Sequence, residues 1–349
     1  MSKVLLVRAD GVGDALVCAP LLVALRDAGH EVGALLSTRN DEAFAFGAFA
    51  HVHVVERIPW PAHGSTFTSY ASALQAARAV GYEVALIASE EPEAYRFARE
   101  AGARVRVGFT NGWEKPLKSL WARAQLTRAV VREASAWRVR GHEVETLFRL
   151  GAGLHAEAEP TRDPRRLRPL VCGGASGGDS SAPNASRAGA EGFVALQVAR
   201  KVHADEAGSR RFAAIVASVA ERLRAVVFAT PADAALAEAI VADSGVEART
   251  FARVTEWRAA LCDALAVVTP DSGAAHLAGM AGVPCVDLFE PSPHVACDIV
   301  RWRPWAAPSR TIVIGPDAEA GATAVTDALR ELLVPRPGRR SDIKEWPEA

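Results

Sequence analysis

The sequence predicts an α/β protein built from two doubly wound, mainly parallel sheets, and three observations carry that prediction. Short apolar runs of strand length alternate with helical patterns through both halves of the chain. At 349 residues the chain is longer than one hydrophobic core usually organises. The alternation lapses in a stretch rich in proline and arginine at 156–170 and in the Gly- and Ser-rich stretch that follows it, which sets the two halves apart.

The elements follow in order. Strands are expected at 4–8, 31–37, 51–56, 84–89 and 104–109, with helical patterns at 15–28, 66–80 and 93–101. Residues 113–150 read as mainly helical, with Gly151 as a C-cap. The first domain is therefore 1–155 and the linker 156–170. A second domain over 171–335 has strands at 193–199, 225–229, 248–252, 265–269, 284–289 and 311–315. Its helices fall at 207–223, 231–243, 255–263, 273–281 and 319–333. Residues 173–191, rich in Gly and Ser, are expected to form a flexible loop, and 336–349 a polar tail.

Composition narrows the function. A hydrophobic content of 50% with 23% charged residues is globular. The net charge of −1 gives no general attraction to nucleic acid. The five cysteines are scattered without a CxxC pair, so zinc ligation lacks support and buried thiols in a reducing, cytoplasmic setting are expected. No apolar run approaches membrane-spanning length, although loose contact with a membrane face is compatible with the sequence. HExxH, P-loop, GxSxG and clustered His/Cys patterns are absent, so metal, P-loop and hydrolase-triad chemistry lack support in the sequence.

Two strand-to-helix loops stand out. The first runs Arg8-Ala9-Asp10-Gly11-Val12-Gly13-Asp14 after a buried strand. Leu16 occupies the place of the third glycine of a dinucleotide fingerprint, so a nicotinamide-dependent oxidoreductase is disfavoured. What remains is a glycine turn that delivers Asp14 to the first turn of a helix, where ligands of open α/β sheets bind. A capping carboxylate is the plainer reading of Asp14, and a surface arginine that of Arg8. The second loop, Asp271-Ser272-Gly273 followed by His276, pairs a helix cap with a glycine that admits a ligand to the backbone. His276 alone reads more simply as a packed histidine. Lys201, after a strand, could neutralise a diphosphate, and Asp233 could accept from a ribose; an exposed lysine and a helix-end acid are the alternatives.

Taken together, Arg8-x-x-x-x-Gly13-Asp14 and Asp271-Ser272-Gly273-x-x-His276-Leu277-Ala278 with Gly282-Val283-Pro284 resemble glycosyltransferase family 9, the lipopolysaccharide heptosyltransferases. Val107-Gly108-Phe109 and the helix with His142, Val144 and Glu145 add to the likeness, which spans about residues 1–330. Where the family carries Lys-Arg-Trp-Pro, this chain has Lys201-Val202-His203; where it has Phe-Gly-Pro-Thr, the chain has Phe289-Glu290-Pro291-Ser292.

The resemblance implies a GT-B fold, two Rossmann-like domains facing across a cleft. The first would take the acceptor and the second a nucleotide-sugar such as ADP-heptose. It implies inverting, metal-independent transfer to a bacterial surface glycan or lipid-linked acceptor at the cytoplasmic membrane face. Asp14 would be the general base, with the Ser272 and Gly273 amides, His276 and Lys201 at the donor diphosphate. A catalytically silent nucleotide-binding scaffold is the alternative.

Overall fold

The computed structural model describes residues 1–57, 67–173, 192–203 and 205–333. The chain divides into two compact units, Met1–Gly173 and Gly174–Ala349. The expected loop from 174 onward and the tail from 336 lie outside the described residues.

In the first unit β1 (Lys3–Val7) leads into α1 (Val12–Leu16) and α2 (Ala19–Asp27). Then follow β2 (Glu31–Ser37), β3 (His51–Arg57), β4 (Phe67–Thr68), α3 (Tyr70–Val80), β5 (Val84–Ile87), α4 (Pro92–Glu100) and β6 (Val105–Thr110). The unit ends with α5 (Pro116–Gln125), β7 (Arg128–Val131), α6 (Glu143–Phe148) and α7 (Pro164–Cys172). The sheet runs β4-β3-β2-β1-β5-β6-β7, all parallel except the short β4. Because β1 is central and buried on both faces, it carries only apolar residues from Val4 to Val7.

Three local features depart from the sequence reading. The single helix expected at 15–28 is broken at Val17-Cys18, because Pro20 has no N–H to continue the ladder from α1. The helical stretch at 113–150 contains β7, which pairs in parallel with β6 and so completes the sheet edge. The linker expected at 156–170 contains α7, capped by Asp163 Oδ1 accepting from Arg165 N–H at 2.9 Å, with Leu167, Leu170 and Val171 buried. Pro164 at its first position is pre-set for a helix start, a signal outweighed in the sequence by the neighbouring prolines.

Gly33, in the middle of β2, faces the ring of Tyr82, whose hydroxyl hydrogen-bonds His53 Nε2 at 2.9 Å. A Cβ at Gly33 would collide with that ring, so the strand needs glycine there for space rather than for backbone angle.

The second unit has β8 (Val194–Gln197), α8 (Arg200–His203), α9 (Glu206–Ala220), β9 (Ala225–Ala229), α10 (Ala234–Val241), β10 (Glu247–Thr250) and α11 (Val254–Asp263). Next come β11 (Ala266–Pro270), α12 (Gly273–Ala281), β12 (Cys285–Phe289), α13 (Val295–Trp302), β13 (Ser309–Val313) and α14 (Ala318–Leu333). Its parallel sheet runs β10-β9-β8-β11-β12-β13. One core lies under α9 and α14, where Phe212, Ile215, Val216 and Val219 meet Val325 and Leu329 against the strands.

Cys18 and Cys285 are buried thiols and Cys297 is half-buried. Cys172 and Cys262 are not free thiols, which corrects the expectation for those two.

Candidate functional site

Strand order decides where each unit can hold a ligand. In the first sheet the connections run outward from β1 in both directions, so the order reverses between β1 and β5. Loops leaving the carboxyl ends of two such strands diverge and leave a crevice. They are the Arg8–Asp14 loop after β1 and the Ser89-Glu90-Glu91 loop after β5. There an open concavity of about 380 Å³ is lined by Arg8, Asp10, Gly11, Asp14, Glu90, Glu91 and Arg132.

Arg8 forms the floor of this concavity. The residue is 3% exposed, and its guanidinium donates through Nη2 to Asp14 Oδ1 at 2.8 Å and through Nη1 to the Ala88 carbonyl, and lies 3.2 Å from Asp10. Burial opposes its charge, yet the carboxylates of Asp10 and Asp14 outweigh burial and push its pKa above the ordinary value. The surface-arginine reading of Arg8 is therefore wrong. Asn40 fixes the loop from the other side, donating to the Arg8 carbonyl at 2.9 Å.

Asp14 makes the capping bond that the sequence reading allowed, and its side chain also lines the concavity. Its Oδ2 accepts from the Gly11 N–H at 3.2 Å, a capping bond, while its side chain keeps 38% of its surface exposed at the concavity. Neither glycine of the turn supplies an unusual backbone angle: Gly11 is extended at φ −84° and Gly13 lies inside α1. Gly11 matters for space, since a Cβ there would sit 3.3 Å from Asp14 Oδ2.

The opposite wall is a set of charges that the sequence reading missed. Glu90 accepts from Lys118 Nζ at 2.6 Å and lies 3.0 Å from Arg132 Nη1. Burial raises the Glu90 pKa, but Lys118 and Arg132 overcome it and hold the carboxyl below the usual range. Arg132, 8% exposed, also reaches the buried Glu143 at 2.7 Å and stacks on Phe109. A signal for Glu90 was present: Ser89-Glu90-Glu91-Pro92 ends a predicted strand just as Arg8–Asp14 does. Arg132 gave none, because only the pairing of β7 with β6 brings it there. His142 caps α6 through Nδ1, accepting from Val144 N–H at 3.1 Å.

In the second unit the order reverses between β8 and β11. The segments there are α8, carrying Arg200, Lys201 and His203, and the turn Asp271-Ser272 leading into Gly273 at the start of α12, so these two predicted segments follow neighbouring strands. Ser272 caps α12, its Oγ accepting from Ala274 N–H at 3.3 Å and lying 2.9 Å from Thr269 Oγ1. Asp271 is held by its backbone N–H, which donates to the Leu288 carbonyl at 3.0 Å. His276 is buried one turn into the helix, edge-on to Trp302 at 5.7 Å.

Asp233 and Glu290 have cationic partners. Asp233 accepts from Arg200 Nε at 2.9 Å and from Thr230 Oγ1 at 2.8 Å; Glu290 lies 3.5 Å from Arg211. His203 is buried, stacks on Phe212 with ring centroids 4.0 Å apart and accepts from Ala199 N–H through Nδ1. The side chain of Lys201 lies outside the described residues.

Two Rossmann-like units, each offering polar loops at a switch point of a parallel sheet, define the GT-B class of α/β fold. Solved structures with this fold include a family 9 glycosyltransferase from Veillonella parvula, 15% identical over 95% of this chain and 97% of that one, with a TM-score of 0.66. Escherichia coli ADP-heptose lipopolysaccharide heptosyltransferase II is 16% identical over 95% and 98%, at 0.67. The E. coli heptosyltransferase WaaC with ADP is 18% identical over 94% and 99%, also at 0.67. No protein-family model and no curated protein sequence matches the chain.

Proposed function

We propose that this protein is a glycosyltransferase that moves a sugar from a nucleoside-diphosphate donor to a hydroxyl acceptor with inversion, without a metal. Likeness to family 9 structures along nearly the whole chain supports the class. The observation that carries the chemistry is Asp14: a carboxylate on a strand–helix turn, pinned by Arg8 and Gly11 yet open to a concavity.

In this reading Asp14 takes the proton of an acceptor hydroxyl as the hydroxyl oxygen attacks the anomeric carbon and the sugar–phosphate bond breaks. A base for this step must be rigidly placed and within hydrogen-bond reach, which the Arg8 and Gly11 bonds provide on the protein side. Charge that develops on the departing diphosphate would meet the Ser272 and Gly273 amides at the start of α12, with His276 and Lys201 close in sequence or strand order. Arg200, held by Asp233, joins them as a cation after β8. Asp271 would steady this loop, and Asp233 would orient Arg200 rather than grip a ribose, since two of its acceptor positions are already used.

A heptose or related sugar is the donor group we infer, with ADP as carrier. WaaC binds ADP, and a further WaaC structure holds ADP-2-deoxy-2-fluoro heptose. The acceptor would be a bacterial surface glycan of the lipopolysaccharide kind, met at the cytoplasmic face of the membrane.

The test separates binding from transfer. Asp14→Asn should keep affinity for ADP by titration calorimetry while transfer falls by about 10²- to 10⁴-fold. Transfer at the wild-type rate would remove Asp14 as the base. Nucleotide binding with no transfer by wild-type protein to any sugar acceptor would favour a silent scaffold instead.

A further inference from the structure

The first unit presents a surface that the proposed chemistry does not use. Trp113, Leu117 and Leu120 are 95%, 83% and 70% exposed, and Trp137 is 54% exposed. Leu117, Leu120 and Trp121 fall at i, i+3 and i+4 on α5 and so share one helix face. Glu114 gathers the rest: its carboxylate accepts from Ala134 N–H at 2.7 Å, Ser135 N–H at 2.9 Å and Arg138 Nη1 at 3.0 Å. Those bonds tie the turn carrying Trp137 to the turn carrying Trp113. Between residues 113 and 140 there are seven Lys and Arg against two Glu, in a chain whose net charge is −1. Lys115, Arg123 and Arg140 of this set are exposed.

We infer that this face docks on an anionic lipid bilayer. A solvent-facing cluster of two Trp and two Leu is costly to leave in water, and its basic surround gives the partner's charge. Trp favours the headgroup level, Leu the acyl boundary below it, and each exposed cation is drawn to a negative surface. A protein partner would be expected to present acids in matching positions, whereas a bilayer meets the whole basic rim at once. The face also borders the concavity. Lys118, next to Leu117, reaches Glu90 at 2.6 Å, so a docked α5 places the bilayer beside the pocket that holds Asp14. A lipid-linked acceptor would then reach Asp14 without leaving its membrane. That last step rests on the proposed transferase reading; docking itself does not.

Co-sedimentation of the full chain with phosphatidylcholine vesicles, with and without phosphatidylglycerol, tests it in the absence of donor and acceptor. Wild type should bind the anionic vesicles, release as salt rises, and ignore the neutral ones. Leu117→Glu with Leu120→Glu should lower binding about tenfold or more at an unchanged melting temperature, since both side chains already face water. Arg123→Glu with Arg140→Glu should remove the preference for anionic lipid. Equal or absent binding to both vesicle types by wild type, or leucine variants that bind like wild type, would overturn the inference. So would a dimer in sedimentation velocity that the leucine variants abolish. Each of these results leaves the Asp14→Asn test untouched, so the two readings fail separately.

Discussion

At Arg8 and Asp14, a single ion pair of 2.8 Å joins a buried guanidinium to a half-exposed carboxylate. Arg8 has a rigid fork with donors to Asp14, Ala88 and Asp10 at once, and a lysine cannot reproduce that geometry. Arg8→Lys should therefore weaken transfer more than nucleotide binding, read as a drop in kcat with little change in ADP affinity. Behind the opposite wall, Glu143 is 1% exposed and its partner Arg132 is 8% exposed. Glu143→Ala leaves Arg132 with Glu90 as its remaining carboxylate, so the cost in urea unfolding should be about 2 kcal/mol, short of that for an uncompensated buried charge. Thiol reactivity follows burial. Burial pushes the Cys18 thiol up to about 12 despite Arg8, and pushes Cys285 well above its ordinary value. Iodoacetamide at pH 8 should label half-buried Cys297 and spare both. The aspartate at residue 14 and the arginine at residue 8 were legible as candidates because both follow a buried strand. Their mutual bond was not, since a spacing of six residues across a turn says nothing about which side chain is underneath.

At the level of the element, the second loop is the clearest case of sequence anticipating structure. The helix read at 273–281 is α12, with Ser272 as its cap and Gly282 at φ +74° as its stop. Its pattern is unambiguous because cap, small residues and glycine stop agree. Ser272→Ala should cost about 1 kcal/mol of stability through the lost cap, read as a lower melting temperature. If the α12 amides hold a diphosphate, the same variant should also loosen ADP binding, which calorimetry would show. Elements set by pairing rather than pattern were less visible. β7 has half-exposed residues and arginine at its start, so nothing in its periodicity separates it from a helix end; the hydrogen bonds of β6 make it a strand. α7 was hidden by its own prolines, one of which, Pro169, lies inside the helix. Its buried face of Leu167, Leu170 and Val171 supplies the stability that propensity lacks.

Across the whole molecule, two buried histidines couple stability to pH. Burial, helped by the nearby Arg211 cation, pushes His203 down to about 4, with Asp233 opposing; burial and His51 also lower His53. The unfolded chain binds these protons near pH 6.5, whereas His203 in the native state does so only near pH 4. Between those values the unfolded state holds more protons, so stability is full above pH 6.5 and falls as pH drops. The loss from His203 should be on the order of 2–3 kcal/mol by pH 4, and His203→Phe should flatten that slope in melts from pH 7 to pH 4. Fold class, the alternation of elements and the two polar loops were all readable from the chain, because each is a matter of local pattern: period, caps and strand-end chemistry. The order of strands is a different kind of information. It follows from which apolar faces pack together, and that order makes the loops diverge beyond the carboxyl ends of the paired strands β1 and β5, and of β8 and β11. Through it Glu90 and Arg132, 42 positions apart by their residue numbers, come within 3.0 Å on the wall facing Asp14. No local rule encodes such a meeting, since it depends on long-range burial summed over both strands and their helices.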